Sequence, residues 1–421
     1  MNPTPISNRS TSPWKRVGKS KRQPRPGFVA PLVIALGLVS AVVVAIVGVK
    51  TDGFGLQTHA EWERYATDLA ATGEPVLFAS MVPPPVPEEE NLFFDPLFAP
   101  LVTPGGASSP GSLLAMAVNP ASGLSVESLL ESSSTDGTGR ATLDAIAARM
   151  TAAGVTNPKT DYLLPGDRIL AGLQQAGFDF SPLENALVRR KARFPVDYSN
   201  IGSPELPHLT SLESLGDWLA IRAIASISTG NSASAANDLL MVARLADATA
   251  NEPYLESQRT RRKLLDIFSA GVLTGVQRDT WSEAELVSFR AAIQRANPTD
   301  DVLLAIRGER TRLNAAIDDA LIRDDVSASP LIETWIGAPV SAFRPKELRT
   351  NQIVVNTAIQ QLIDRIAKPE STTAEPAPVV LDLPITARER LAVLEEEFET
   401  SQSAASKVAE ADAACANAGG R

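Results

Sequence analysis

The sequence predicts a mainly α-helical protein with an N-terminal transmembrane helix, followed by an irregular multi-helix exported domain that contains an extended Pro-rich segment. Three observations predict this class. Residues 28–49 are apolar and carry no charge. Only 5% of the 421 residues are aromatic, and Ala, Leu and Ile are frequent, which favours helices over sheets. Helix-capping residues and apolar residues at helical spacing recur from about Asp161 onward.

The segment FVAPLVIALGLVSAVVVAIVGV, residues 28–49, is long enough to cross a lipid bilayer. A helix rises about 1.5 Å per residue, and the hydrocarbon core is roughly 30 Å thick. Seven bases and no acid occupy residues 1–27, which places this tail in the cytoplasm. A cleaved signal peptide is the alternative, but its apolar run is usually about 7–15 residues long, and no clear A-x-A site follows here. We therefore predict an uncleaved signal anchor in a bacterial inner membrane, with a periplasmic C-terminal domain.

Charge divides the chain at the end of this anchor. The whole chain has 39 basic and 49 acidic residues and a formal net charge of −10. The part after residue 50 is more negative still, because Lys50 and the leader bases precede it. A negative domain argues against nucleic acid and against an anionic membrane surface as partners. We interpret the basic runs at residues 189–193 and 259–263 as solvated helix faces or partners of nearby acids.

Composition divides the chain into consecutive segments. In chain order we predict a basic cytoplasmic tail (1–27), a transmembrane anchor (28–49), a membrane-proximal helix with the Pro-rich segment and flexible linkers (50–160), a helical domain (161–368), a linker (369–385), and a C-terminal helix and tail (386–421).

The Pro-rich segment MVPPPVPEEENLFFDPLF, residues 81–98, cannot join a helix or a central strand. Our hypothesis is that residues 83–87 form a rigid strut and that Phe93, Phe94 and Phe98 fill a hydrophobic groove on the helical body. A docking peptide for another protein is the alternative.

Helix signals mark the 161–368 region. Ser181 begins a predicted helix, SPLENALVRRKARF, and Thr210 and Ser282 each begin a helix with a capping box. Gly230 is expected to end the helix that starts at Thr210, so that residues 212–250 form a helical hairpin. The C-terminal helix has few large apolar residues and is expected to pack weakly.

The inventory of residues for catalysis is small. The chain contains no G-x-S-x-G, G-x-x-x-x-G-K-[ST], G-x-G-x-x-G or H-E-x-x-H motif. The adjacent acids at 300–301, 318–319 and 324–325 point in different directions on a helix and are expected to be solvated. Glu309 and Arg310 form either a buried ion pair between helices or part of an exposed helix face. Cys415 has no His or base beside it and is no candidate nucleophile.

The two histidines give no metal site. His59 lies in an exposed, polar context, and His208 lies between prolines and apolar residues. Glu205 and His208 match an E-x-x-H string, but Pro207 disrupts the helix face and no second copy is present. We interpret His208 as a hydrogen-bonded structural residue. The sequence therefore predicts no catalytic, cofactor-binding or metal-binding residue and no cofactor.

Three stretches resemble a group of uncharacterised single-pass membrane proteins of planctomycete and verrucomicrobial bacteria. These are PPPVPEEEN after the anchor, the block beginning ARFPVDYS that includes PHL at residues 207–209, and RGERTR at 307–312. The resemblance covers roughly residues 28–415 and implies an exported helical domain of unknown activity. It supplies no catalytic residue. Similar proteins continue into a pseudopilin-like segment, so either that module is absent here or the end is truncated.

Two functional hypotheses remain. The first is a non-enzymatic envelope protein whose helical periplasmic domain binds protein partners or acts as a scaffold. The second is an envelope hydrolase that acts on cell-wall glycan or peptide through dispersed carboxylates. Two carboxyl groups about 5–9.5 Å apart in one pocket would favour the second hypothesis.

Overall fold

The computed structural model describes residues 56–98, 140–152, 163–323, 329–368 and 383–419. Within these ranges the chain is α-helical with short 3-10 turns, and the only extended pairing is a bridge between Asn91 and Lys191. The prediction of a mainly α protein is therefore confirmed. The predicted anchor, residues 28–49, lies outside these ranges, as does most of the linker predicted at 369–385. Among the helices described, none combines the length and apolar character that crossing a membrane requires.

The α-helices are numbered here in chain order. They are α1 (Leu56–Ala71), α2 (Arg140–Ala152), α3 (Pro165–Gln175), α4 (Ser181–Ala186), α5 (Pro207–Ser228), α6 (Ser232–Asp247), α7 (Leu255–Gln277), α8 (Glu283–Ile293), α9 (Pro298–Arg323), α10 (Ser329–Ile336), α11 (Pro345–Ala367) and α12 (Ile385–Ala418).

Two hydrophobic clusters form the core. The first is built mainly by α2 to α8 and includes Trp218 and Phe268, while the second is built by α9, α10, α11 and the start of α12 and includes Trp335. Both clusters belong to one compact unit, which includes all of the described residues. Burial of large apolar side chains in both clusters provides the main driving force for folding.

Helix α12 contributes to both clusters, so the expectation that the C-terminal helix packs weakly is wrong. Ala387 and Leu394 are buried in the second cluster, whereas Val408, Ala411 and Cys415 are buried in the first. The small side chains allow close approach to neighbouring helices instead of weakening the contact. In this helix a low content of large apolar residues is compatible with close packing, because its small side chains are buried.

Several helix ends agree with the sequence signals. Ser282 forms the predicted capping box with Glu285 at the start of α8. Gly230 has φ +79°, a left-handed conformation that costs other residues energy, and it separates α5 from α6. The hairpin predicted at residues 212–250 is therefore confirmed, although α5 begins at Pro207 and not at Thr210.

The helix predicted from Ser181 is shorter than the sequence suggested. It ends at Ala186, and no Ser181 side-chain cap is formed, because Phe180 occupies the N-cap position. The following segment leaves the helix and binds the Pro-rich segment instead. Leu92 N donates to the Lys191 carbonyl at 2.7 Å, and Lys191 N donates to Glu90. Tertiary contacts here override a favourable helical pattern.

The Pro-rich segment has no helix or strand at residues 83–87, as expected. Its phenylalanines do not act alike. Phe98 is fully buried and has edge-to-face contact with Phe194, and Phe93 is partly buried. Phe94 is 46% exposed, so its predicted role in filling a groove is wrong. Leu92, which is 2% exposed, takes that role.

We expect Phe98→Ala to lower the free energy of unfolding by about 3–5 kcal/mol, because it leaves a cavity beside Phe194. Phe94→Ala is the matched control and should change it by no more than about 1 kcal/mol. Urea unfolding followed by circular dichroism measures both values. Equal losses for the two variants would contradict the buried position of Phe98.

Candidate functional site

Charged side chains concentrate where α9 meets the chain that follows α1. We call this cluster the Glu74 clamp (Glu74, Arg307, Arg310 and Gln360). Arg307 Nε and Nη2 donate to the Glu74 carboxylate at 3.0 and 2.7 Å. Arg310 Nη2 donates to Glu74 Oε2 at 2.7 Å and to the Pro75 carbonyl at 3.0 Å, and its Nη1 donates to Gln360. The Arg310 side chain is fully buried, so Glu74 supplies the counter-charge that it needs.

Opposing effects act on the pKa of the Glu74 carboxyl group. Burial raises this pKa, but hydrogen bonds and positive charge from Arg307 and Arg310 outweigh burial. The pKa of Glu74 is therefore held below its ordinary value of 4.5. Ionised Glu74 is the form that stabilises the folded chain.

Three buried amides extend the clamp along α9 and α11. Asn314 and Asn356 form a reciprocal pair, with Nδ2 to Oδ1 distances of 3.1 and 2.7 Å. Gln352 Nε2 donates to Asn314 Oδ1 at 3.2 Å. Asn314 Nδ2 also lies 3.4 Å from the Val76 carbonyl. Polar side chains of α9 thus hold successive carbonyls of residues 75 and 76, which fixes the path of the chain after α1.

A second buried cluster surrounds His208 at the start of α5. We call it the His208 cluster (His208, Glu252, Ser257 and Phe194). His208 Nε2 lies 3.0 and 3.1 Å from the two carboxylate oxygens of Glu252. Ser257 Oγ donates to Glu252 Oε2 at 2.6 Å. The Phe194 ring stacks on the imidazole with a centroid distance of 4.2 Å.

The order of contacts in the His208 cluster decides its chemistry. In a serine hydrolase the histidine contacts the serine oxygen and removes its proton. Here Glu252 lies between the two, and the Ser257 hydroxyl donates a hydrogen bond to the Glu252 carboxylate and not to His208. His208, Glu252 and Ser257 are all at most 4% exposed. The arrangement therefore joins the start of α5 to the start of α7 and does not activate Ser257 as a nucleophile.

Tyrosines line the same region. The rings of Tyr198 and Tyr254 stack at 5.8 Å, and Phe78 lies 6.1 Å from Tyr254. The Arg312 guanidinium lies over the Tyr254 ring at 5.3 Å. Burial, and then the charge of Glu252, raises the pKa of Tyr198, so its phenol stays neutral. Neutral phenols are poor proton acceptors, and this cluster has the character of core packing.

Gly308 permits α9 to approach the loop that carries Glu252. A Cβ atom at position 308 would lie 1.8 Å from the carbonyl oxygen of Pro253. Backbone occupies this position, so a neighbouring side chain cannot move to relieve the overlap. The close approach brings α9 beside the His208 cluster.

Glu309 and Arg310 are both buried, but they do not pair with each other. Glu309 accepts from Arg312 at 2.6 Å and from Arg390 of α12 at 2.8 Å. Arg310 binds Glu74 instead. The prediction that both residues lie on an exposed helix face is therefore wrong. The prediction of buried ion pairs is correct, but each residue pairs with another partner.

The basic run at residues 259–263 binds acids on neighbouring helices. Arg259 and Arg262 both bind Glu397 of α12, at 2.5 and 2.7 Å, and Lys263 lies 3.3 Å from acids of α5. Arg261 binds Asp301 at 2.8 Å. The interpretation of this run as partners of nearby acids is confirmed.

Two carboxylates line a small cavity beside this run. Asp301 and Glu397 border it together with Arg259 and Arg262, and its volume is about 10 Å³. This is enough space for one water molecule. Arg259 and Arg262 bind Glu397, and Arg261 binds Asp301, so each carboxylate already has a cationic partner in the folded chain.

The residues discussed from sequence lie apart from one another. His59 has a half-exposed side chain 3.3 Å from Glu63, and Glu205 is exposed, so the acid that binds His208 is Glu252. Asp301 was expected to be solvated but instead binds Arg261.

Burial raises the pKa of the Cys415 thiol to about 11, which makes it a poor nucleophile. Residues 324–325 lie outside the described ranges. Within the described ranges, no three metal-ligating side chains come together.

Sequence reasoning missed Glu74 and Glu252. Each is a single acid next to a proline, at Pro75 and Pro253, in loops without a recognisable motif. The one available signal is that a buried base elsewhere in the chain needs an acid as its partner. This need does not indicate which acid fulfils it.

No family model, curated protein or solved structure matches the chain at a significant level.

Glu74→Gln should lower the free energy of unfolding at pH 7 by about 2–4 kcal/mol, because it leaves Arg310 buried without a counter-charge. The folded pKa of Glu74 is lowered, so its contribution is present above pH 4.5 and is lost as the pH falls through the folded pKa. The difference between wild type and variant should therefore shrink below pH 4.5. Denaturant unfolding at several pH values measures it.

The control for this experiment is Glu347→Gln, which removes an exposed partner of Arg344. It should cost much less than Glu74→Gln, because solvent screens an exposed ion pair. A Glu74→Gln loss as small as the control loss would mean that the clamp does not stabilise the fold.

Gly308→Ala should lower the free energy of unfolding by about 1–3 kcal/mol or more, because the new methyl group overlaps the Pro253 carbonyl. Gly419→Ala is the control, since the nearest atom to its Cβ is 3.5 Å away. Thermal unfolding compares the two variants. A Gly308→Ala variant as stable as the control would contradict the close approach of α9.

Proposed function

We propose that this chain is a non-enzymatic, signal-anchored envelope protein whose helical periplasmic domain binds protein partners or acts as a scaffold. Residues 28–49 would anchor it in the bacterial inner membrane, with the N-terminus in the cytoplasm. The apolar, charge-free sequence of that segment and the basic residues before it support this topology.

The observation that carries the proposal is the fixed attachment of residues 74–98 to the helical body. The Glu74 clamp and buried Phe98 hold this segment at two places. A domain that acts on a diffusing substrate needs only a flexible tether. A domain that presents a binding surface gains from a segment held in one arrangement, because fewer arrangements are lost on binding.

The alternative of an envelope hydrolase has no comparable support. Asp301 and Glu397 share a cavity, but its volume of about 10 Å³ excludes a sugar ring, and both acids bind arginines. The geometry of the His208 cluster does not activate Ser257. The scaffold is therefore the function that we propose.

Topology is tested first, with tags at both ends of the full chain. We expect the protein in the membrane fraction after carbonate washing. External protease should digest the C-terminal tag in spheroplasts and leave the N-terminal tag intact. A protein recovered in the soluble fraction, or a protected C-terminal tag, would refute the proposed arrangement.

Partner binding is tested by crosslinking and affinity capture of the full chain, followed by mass spectrometry. The control carries residues 1–55 fused to an unrelated folded domain, so that proteins bound by the anchor alone are subtracted. We expect an envelope protein that is enriched only with the full chain and that copurifies with it after both are expressed together. An empty capture would count against a scaffold.

A further inference from the structure

A concave surface with three arginines lies at one side of the first hydrophobic cluster. We call it the arginine cleft (Leu187, Val188, Arg190, Arg244 and Arg295), and its volume is about 550 Å³. This volume lies in the range of about 300–1,000 Å³ that is usual for small-molecule sites.

Three separate elements build the cleft. Arg190 lies in the irregular segment after α4, Arg244 lies in the last turn of α6, and Arg295 follows the end of α8. The early end of α4 is what brings Arg190 here, since a continued helix would carry it along a different path. The convergence is therefore a product of the tertiary fold and not of one basic stretch of sequence.

Positive charge in the cleft exceeds the negative charge that contacts it. Within the described ranges, the acid that contacts these arginines is Asp247, 3.1 Å from Arg295 Nε and 3.9 Å from Arg244 Nη1. The same carboxylate also lies 3.4 Å from Arg261. Among the described residues, Arg190 forms no ion pair, whereas Lys191 binds Glu90 at 2.6 Å.

Helix ends explain only part of this cluster. Bases near a helix C-terminus bind its last carbonyls, and Arg295 Nη1 does so at Ala291, at 2.8 Å. Arg244 Nη2 makes two long contacts, at 3.4 Å to the Arg189 carbonyl and at 3.5 Å to the Leu187 carbonyl. In the part of the chain that the structure describes, Arg244 has no closer hydrogen-bond acceptor than these two carbonyls.

The pKa of Arg244 agrees with an excess of positive charge. Burial lowers this pKa most, Asp247 raises it, and the charges of Arg295 and Arg190 lower it further. The net direction is downward, so the single carboxylate does not offset burial and the two neighbouring guanidinium groups. An anion between the three arginines would relieve this repulsion.

We propose that the arginine cleft binds a small soluble molecule with a phosphate-type oxyanion. Guanidinium groups present paired donors that match the oxygens of such an anion. Val188, which is 75% exposed, forms an apolar wall for the organic part of the ligand. The strongly acidic character of residues 51–421 disfavours an anionic lipid surface as the source of the phosphate.

The first test uses the wild-type full chain in a non-ionic detergent and hexyl phosphate as the probe. Phenylglyoxal modifies accessible arginines, and mass spectrometry gives the rate at each one. At a probe concentration of twice the dissociation constant, modification of Arg190, Arg244 and Arg295 should slow about threefold, as occupancy requires. Arg365, an arginine bound to Glu395 elsewhere, should react at the same rate with and without the probe.

Ionic strength is held constant with chloride, and hexanol replaces the probe in a parallel sample. Slowing by hexanol or by chloride alone would overturn the proposal, because neither presents a phosphate. Equal slowing at Arg365 would also overturn it.

Variants give an independent second test by calorimetric titration with hexyl phosphate. Arg190→Gln and Arg244→Gln should each weaken binding about tenfold or more, which is the usual cost of a lost charge-assisted hydrogen bond. Arg365→Gln removes one charge elsewhere and should bind as wild type does. Unchanged affinity in Arg190→Gln, which lies in an exposed segment and should fold normally, would overturn the proposal. This result is independent of the anchor and of the scaffold function.

Discussion

The buried guanidinium of Arg310 is the constraint on which the architecture depends. A charge taken out of water is costly unless a counter-charge and hydrogen-bond acceptors surround it. Glu74 and the Pro75 carbonyl meet this demand from a part of the chain 236 and 235 residues away in sequence. The requirement of one side chain in α9 thus determines where the first described segment of the chain lies. The Pro-rich segment comes next in the chain and is held by its own contacts with residues 189–194.

The sequence predicted those features that are set by neighbouring residues. The capping box of Ser282, the turn at Gly230 and the absence of regular structure at residues 83–87 each depend on local chemistry. The length of the helix from Ser181 was predicted wrongly, because its local pattern competes with backbone pairing to residues 90–92 that only the folded chain contains. The packing of α12 was also predicted wrongly, since a rule based on large side chains overlooks close contact through alanine and serine.

The buried polar residues show the same contrast between features set by neighbouring residues and features set by long-range contacts. Sequence alone indicated that His208 is structural and that the basic run at 259–263 binds acids. It did not identify Glu252, Glu74 or Glu397 as the partners, because an isolated acid has no motif and its partner is fixed by long-range contacts. Arg190 was likewise grouped with its neighbours in one basic run. In the folded chain, Arg189 and Lys191 face the Pro-rich segment while Arg190 lines the cleft, so adjacent residues serve different purposes.

Helix α12 has a consequence for how the domain unfolds. Its first half is buried in one hydrophobic cluster and its second half in the other, while Glu397 and Ser401 between them are held by Arg259, Arg262 and the Pro298 carbonyl. Neither cluster can lose its order without exposing part of a helix that the other cluster also needs. The two hydrophobic clusters are therefore coupled into a single cooperative unit, in which local opening of one cluster is opposed by the packing of α12 in the other. Such a body resists stepwise loss of structure even though its core is divided.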